Sequence, residues 1–296
     1  RGDWNDWDAS QPLPWRRVRR ARGTLPATPL WIATLELAPD VYMAYCLVTD
    51  EARVDDPLNP RRVSNGMGKY NHCFYMPQGG PTPLARRDRN APRGEGVQLD
   101  LPTEMLVAGS RRRLILYRPM TPGPVPLLLV YDGPDYLRRA SLAVVVDNLI
   151  AQRRIRPIAL AMLANGRGAR MAEYGGSDGT LAFVHEMVLP AARQHLDLID
   201  ITAQPGAFGV MGASMGGLMA LMTGLRLPHI FGHVLSQSGA FHLGPYQTSA
   251  LELVEQGAAR PLRLWLDVGR YEGLLESNRR AHDLLQARGY DVAYRE

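Results

Sequence analysis

Ser214 is the residue on which chemistry can be built. It lies in Phe208-Gly-Val-Met-Gly-Ala-Ser-Met-Gly-Gly-Leu-Met-Ala-Leu-Met-Thr-Gly-Leu225, where Gly212, Ser214 and Gly216 form a Gly-x-Ser-x-Gly pattern. The run before it reads as a short buried strand and the run after it as an apolar helix. A serine at the tip of so sharp a turn takes a strained, positive-φ backbone. Side chains two positions either side would collide with it, and glycines at 212 and 216 remove that collision. Gly217 gives the helix room to pack on the strand. The helix N-terminus directs amide N–H groups at any anion forming beside Ser214. In a chain with 29 glycines the bare pattern is a weak signal, which an ordinary Gly-rich turn would satisfy. Strand before and helix after make it specific, because the motif requires them. The chemistry implied is attack of a serine hydroxyl on a carbonyl carbon.

Such a serine needs a base, usually a histidine oriented by a carboxylate. For a serine on a strand-to-helix elbow the chain order is serine, acid, histidine, so the acid belongs after a later strand. Leu264-Trp-Leu-Asp-Val-Gly-Arg-Tyr-Glu272 supplies strand, glycine turn and carboxylate. Glu272 is the preferred acid and Asp267, at the strand end, its rival; without a catalytic role Glu272 is a carboxylate favoured at a helix start. The histidine should follow the last strand. His282 reads as a surface residue of the final helix, and His229, His233 and His242 precede the acid. His242 can approach the site but stands in the wrong order for the base. The catalytic histidine is therefore expected outside these 296 residues. The oxyanion hole is expected to combine the Met215 amide with that of Gly133, in the strand-loop Leu127-Leu-Leu-Val-Tyr-Asp-Gly-Pro-Asp135; Pro134 has no N–H to give.

These groups must be positioned by a scaffold, and the grammar after residue 97 supplies one. Strands are expected at Arg113–Arg118, Pro126–Tyr131, Pro157–Leu163, Phe231–Ser236, Leu262–Asp267 and Asp291–Arg295. Helices are expected at 140–152, Thr180–His195 and Glu276–Arg288. Short apolar runs divided by helices imply a mostly parallel sheet covered on both faces, with active residues beyond the strand C-termini. The fold class is α/β, an α/β-hydrolase fold. Ahead of it, Leu30–Leu37, Val41–Val48 and Tyr70–Tyr75 are short strands separated by turns, which suggests a small β-sandwich. Residues 77–96 are rich in Pro, Gly and charge and read as a linker or exposed loop. The expected domains are thus 1–96, including that linker, and 97–296, with the second truncated at its C-terminal end.

Composition sets limits on these readings. Hydrophobic residues are 46% of the chain, enough for a sizeable core, and no run approaches the ~18 apolar residues of a membrane span. The net charge is +5 and almost all of the positive charge is arginine, Lys69 being the only lysine. The basic stretch Trp15–Arg22 is interrupted by Val18 and Ala21, and reads as a solvated segment rather than a nucleic-acid patch. Cys46 and Cys73 have neither metal-ligand spacing nor a disulfide framework and read as two buried thiols, compatible with a reducing cytoplasm. No cofactor or metal is expected, no nucleic-acid or membrane partner, and self-association stays open.

Several motifs together resemble the enterochelin esterase family of esterase D-like α/β-hydrolases. They are Asp56-Pro-Leu-Asn-Pro60, Val130-Tyr-Asp-Gly133, Arg170-Met-Ala-Glu173 with Glu186 and Pro190, Gly212–Gly217, Leu235-Ser-Gln-Ser-Gly239 and Gly269-Arg-Tyr-Glu272. The resemblance spans residue 30 to the end. It implies an N-terminal β-sandwich before a hydrolase that cleaves ester bonds of ferric catecholate siderophores, with a Gly-Gly-His segment soon after residue 295. It also gives Arg170 two readings: a cation for a strongly anionic small-molecule substrate, or an ion pair with Glu173. Glu186 reads as structural, and Ser236 and Ser238 as hydrogen-bonding supports of their loop. A carbohydrate acetyl or feruloyl esterase or an acyltransferase would suit the same elbow, and a catalytically inactive binding module would suit a missing histidine.

Overall fold

The computed structural model describes residues 1–5, 7–8, 13, 15–17, 31–48, 52–65, 69–243 and 246–296. They fall into two units, Arg1–Pro81 with Tyr271–Gly273, and Thr82–Arg270 with Leu274–Glu296.

Eight strands make the sheet of the larger unit: β1 Glu95–Pro102, β2 Arg111–Arg118, β3 Leu127–Tyr131, β4 Ala159–Leu163, β5 Phe208–Ala213, β6 Phe231–Gln237, β7 Arg263–Asp267 and β8 Asp291–Arg295. Their spatial order is β1-β2-β4-β3-β5-β6-β7-β8. Every pair from β4 to β8 is parallel, while β1 and β2 add an antiparallel edge. Parallel strands need crossovers, and the helices supply them. These are α1 Gly133–Arg139, α2 Leu142–Ala151, α3 Arg170–Tyr174, α4 Asp178–Phe183, α5 Leu189–His195, α6 Met215–Arg226, α7 Ser249–Gln256 and α8 Leu275–Ala287. The expected α/β-hydrolase fold is the fold observed.

The pleat sends successive residues to opposite faces, and the core follows it. Leu129 belongs to the buried cluster that holds Phe183, Leu218, Leu221 and Leu251, whereas Val130 belongs to the one that holds Val146, Leu160, Met162 and Met211. All five residues of β4 are buried, which explains its unbroken apolar run. Its buried Leu and Met side chains each contribute about 1.5–3 kcal/mol relative to exposure. Between α4 and α5 the chain makes a π turn, Val184–Val188, in what the sequence presents as one helix. Pro190, which has no N–H for an interior helical bond, follows directly on that π turn as the second residue of α5.

The Pro/Gly-rich stretch, from Thr82 onward part of the larger unit, is fastened to α2. Asn148 Nδ2 donates to the carbonyls of Leu84 (2.8 Å) and Arg86 (2.7 Å), and its Oδ1 accepts from Asp88 N. Neighbouring Asp147, 4% exposed, accepts from Tyr117 Oη at 2.8 and 2.7 Å and from Gly94 N at 3.4 Å. Strand β1 begins one residue later.

The smaller unit holds an antiparallel sheet of Tyr42–Tyr45, Tyr70–Tyr75 and Arg62–Ser64, with two further strand pairs, Leu47–Val48 with Arg53–Val54 and Arg16–Arg17 with Trp31–Ile32. The expected strand Leu30–Leu37 is reduced to that last pairing. Of the basic stretch Trp15–Arg22, residues 18–22 lie outside the described residues. Asp56-Pro-Leu-Asn-Pro60 forms a buckle. Asp56 N donates to His72 Nε2 (2.9 Å), Tyr45 Oη donates to the Asp56 carboxylate, and Asn59 Nδ2 donates to Tyr45 Oη and the Cys73 carbonyl. Cys46 and Cys73 are both buried free thiols. Among the described residues no helix is long and apolar enough to cross a membrane.

Tyr117, Tyr131, Tyr136 and Tyr174 have phenol pKa values raised above 10.0, burial being the largest cause in each. A raised folded-state pKa contributes stability that is complete below the unfolded value near 10 and is lost as pH rises through the folded value. Stability should therefore fall above about pH 10, with these four rings ionising only as the fold is lost. Absorbance at 295 nm followed alongside near-UV circular dichroism checks this. Ionisation of all 12 tyrosines near pH 10 with the fold intact would contradict it.

Candidate active site

Ser214 stands between the end of β5 and the start of α6 at φ 57°, ψ −121°. Such a backbone costs a non-glycine residue on the order of 1–3 kcal/mol and persists only when its surroundings hold it. Here they do. Ser214 N donates to the Gln237 carbonyl (2.9 Å), and the Ser214 carbonyl accepts from Gly217 N, Leu218 N and Ala240 N at 2.9, 3.1 and 3.1 Å. A β-carbon on Gly212 would stand 2.4 Å from the Gly216 carbonyl oxygen, so the two glycines are the contact between strand and helix. The register pairs Ala213 with Gln237 and Gln237 with Asp267, which puts Ser214 at the C-terminal edge of the sheet.

The two expected oxyanion donors both begin helices. Met215 is the first residue of α6 and is 3% exposed; Gly133 is the first residue of α1. The close approach that demands glycine at 133 is to β4, since a β-carbon there would lie 2.4 Å from the backbone of Met162. Asp132, just before it, takes a left-handed backbone (φ 55°) at the end of β3.

Arg170 is where the structure departs most from the sequence reading. Its guanidinium grips Asp132, Nε lying 3.0 and 3.2 Å from the two carboxylate oxygens and Nη2 2.7 Å from Oδ2. Nη2 also reaches the Ala213 carbonyl at 3.4 Å, and the group lies 5.4 Å from the Tyr174 ring centre. The Asp132 hydrogen bonds are the largest cause of a raised Arg170 pKa. Glu173, the partner considered from sequence, is engaged by Arg112 instead.

On the other flank, Tyr136 Oη donates to Gln237 Oε1 (2.6 Å), and Gln237 Nε2 donates to Asp267 Oδ2 (3.3 Å), which also accepts from Trp265 Nε1 (3.1 Å). Asp267 thus ties the ends of β6 and β7. Glu272 is exposed on the turn before α8, in the short segment grouped with the smaller unit.

Ser238 repeats the left-handed backbone one strand over (φ 46°), and its amide donates to the Asp267 carbonyl at 2.6 Å. Ser236 differs from expectation. Its Oγ is buried with no hydrogen-bond partner among the described residues, filling the space that β-carbons on Gly217 or Gly239 would enter at 2.6 Å. Glu186 is exposed and 2.7 Å from His185. His229 and His233 lie toward the opposite end of β6, and burial lowers the His233 pKa. His282 stacks on Tyr294 at 4.5 Å. His242 lies two residues beyond Ala240, and its buried Nδ1 has no hydrogen-bond partner among the described residues.

The structure therefore gathers Ser214, Met215, Gly133, Arg170 and Asp267 in one unit. Sequence reasoning passes over Asp132, Tyr136, Asn165 and Gln237, of which Asn165 donates to Asp132. Their partners stand 30 to 101 positions away, so no local spacing announces them.

The sequence model of the family described as "Putative esterase" matches residues 107–291. The iron(III) enterobactin esterase of Escherichia coli O6:H1 is 28% identical over 232 residues, covering 75% of this chain and 56% of that protein. The chain thus spans about half the length of the curated enterobactin esterases it matches. The Shigella flexneri enterobactin esterase, solved in the presence of 2,3-di-hydroxy-N-benzoyl-serine, superposes with a TM-score of 0.74 at 22% identity, covering 92% of this chain and 78% of that one. A ferulic acid esterase from Anaeromyces mucronatus has a TM-score of 0.60 at 14% identity, covering 73% and 87%.

Proposed function

The chain belongs to the Esterase family, and from that premise we propose that it is a serine carboxylic-ester hydrolase acting on ester or lactone bonds of an anionic catecholate siderophore. The observation that carries the proposal is Ser214 itself, held at φ 57° between a buried strand and a helix N-terminus. A serine whose backbone is strained in this way, at the edge where parallel strands end, is suited to present its hydroxyl to a ligand. Similarity to enterobactin esterases supports the substrate class.

In the reaction, Ser214 Oγ attacks the ester carbonyl while a histidine accepts its proton. By chain order that histidine follows β8 in the full-length protein. The Met215 and Gly133 amides hold the oxyanion. Collapse expels the alcohol, which takes the proton from the histidine, and water then cleaves the acyl-enzyme by the same steps. Glu272 is proposed to orient the histidine. Asp267, already engaged by Gln237 and Trp265, keeps the strand ends in place. Ferric ion enters as part of the substrate. Two buried free thiols suit a reducing compartment such as the cytoplasm.

Chromatographic assay of the full-length protein tests the substrate class, using a tri-serine catecholate lactone, ferric and iron-free, against feruloylated and acetylated glycans. The lactone should be preferred in kcat/KM by roughly a hundredfold or more. Preference for a glycan ester would assign the protein to carbohydrate esters, and tight binding without turnover would make it a binding module.

A further inference from the structure

We infer that Arg170 is a positioning residue of the oxyanion site, where it cancels the charge of Asp132 beside the first turn of α6. The inference rests on Ser214 being the nucleophile. Asp132 is 8% exposed, and its Oδ2 lies 3.2 Å from where a β-carbon on Gly216 would stand. The carboxylate is thus packed against the helix end that is to receive the oxyanion. In sequence it directly precedes Gly133, the other proposed donor.

An unneutralised carboxylate there would work against catalysis. Two negative charges within a few ångströms in a half-buried site oppose each other by on the order of a hundredfold in rate. Arg170 meets this carboxylate with a planar two-pronged grip, and Asn165 Nδ2 also donates to Oδ1. Its remaining reach, to the carbonyl of Ala213 and over the Tyr174 ring, holds the guanidinium between the elbow and α3. Asp132 N in turn donates to Tyr174 Oη at 3.3 Å. A guanidinium so occupied acts through Asp132 rather than on the substrate.

Arg170→Met, Arg170→Lys, Asp132→Asn and the Arg170→Met/Asp132→Asn double variant, made in the full-length protein, separate charge cancellation from other roles. Turnover is measured on the ferric catecholate lactone and on a neutral p-nitrophenyl ester, with melting curves to confirm folding. Arg170→Met should lose about 100-fold in kcat on both substrates with KM within about threefold, and the double variant should regain at least about tenfold. Arg170→Lys, which keeps the charge, should stay within about tenfold of the parent.

A rise in KM confined to the anionic lactone, with kcat intact, would overturn the inference and return Arg170 to substrate binding. A folded double variant as slow as Arg170→Met would overturn it too. Should Arg170→Met fail to fold, a folded Arg170→Lys that is slower than the parent by about 100-fold decides against it. Ser214→Ala is run alongside: retained turnover there would overturn the nucleophile, whereas an inactive Ser214→Ala with an unaffected Arg170→Met overturns only the role of the arginine.

Discussion

Replacing Ser214 by alanine in the full-length protein should lower kcat for ester hydrolysis by roughly 10⁴-fold or more while leaving the fold intact. On the proposed mechanism, removal of the hydroxyl takes away the attacking atom and leaves the amides at Met215 and Gly133 only the residual catalysis an oxyanion hole gives alone. The β-carbon stays, so the packing of the elbow is unchanged. Alanine inherits the strained φ of 57°, and the melting temperature should move by no more than about 2 °C. Ser214→Gly adds a control. Glycine takes this backbone without strain, so it should be equally inactive and more stable by about 1 kcal/mol. Inactivity together with unchanged or increased stability distinguishes a chemical role from a structural one. A variant that is inactive because it unfolds would fail both measurements.

The largest effect on stability is expected at the buried Arg112–Glu173 pair. Both residues are 5% exposed. Arg112 donates from Nη1 to Glu173 Oε2 (2.8 Å) and from Nη2 to Oε1 (2.7 Å), and the same two nitrogens also donate to the carbonyls of Ala164 and Ala108 respectively. Ala108 N donates to Glu173 Oε1, and Thr180 Oγ1 donates to the Glu173 carbonyl. The pair joins the start of β2, together with Ala108 of the loop before it, to α3, the short helix that carries Arg170. Glu173→Ala leaves a desolvated guanidinium with its main partner gone, and should cost about 3–5 kcal/mol. Arg112→Met combined with Glu173→Leu removes both charges and should cost far less, because the desolvation of both groups disappears with them. Urea unfolding midpoints of the single and double variants check this. A loss below about 1 kcal/mol for Glu173→Ala would show that water reaches the pair.

Much of the sheet can be read from short apolar runs, because strands buried on both faces have little freedom in composition. β4 and β5 are of this kind. β1 is harder to read because it lies at the sheet edge with Val97 40% exposed, so its alternation of Val97, Leu99 and Leu101 is diluted by polar residues and follows a Pro/Gly-rich stretch. α1 is hidden because Gly133-Pro134 reads as a turn, although proline in a first helical turn is also a start signal. α7 carries Leu251 and Val254 on its buried side, behind a Thr248 cap position, and is short enough to pass among loop residues. Ser214 is legible because local geometry dictates its glycines. Asp132 and Arg170 are not legible as partners, since 38 positions separate them and only the fold brings them together. The proposed carboxylate is intermediate: both Asp267 and Glu272 follow from strand order, and the hydrogen bonds describe what Asp267 holds.

The central claim, that Ser214 is an activated nucleophile, is tested most directly by covalent capture. The full-length protein is treated with a fluorophosphonate ester, and intact mass followed by peptide mapping locates the adduct. One adduct per chain on the peptide containing Ser214, absent from Ser214→Ala and formed in step with loss of esterase activity, is the predicted result. An active enzyme that takes up no label at Ser214, or loses activity through a label elsewhere, would contradict it.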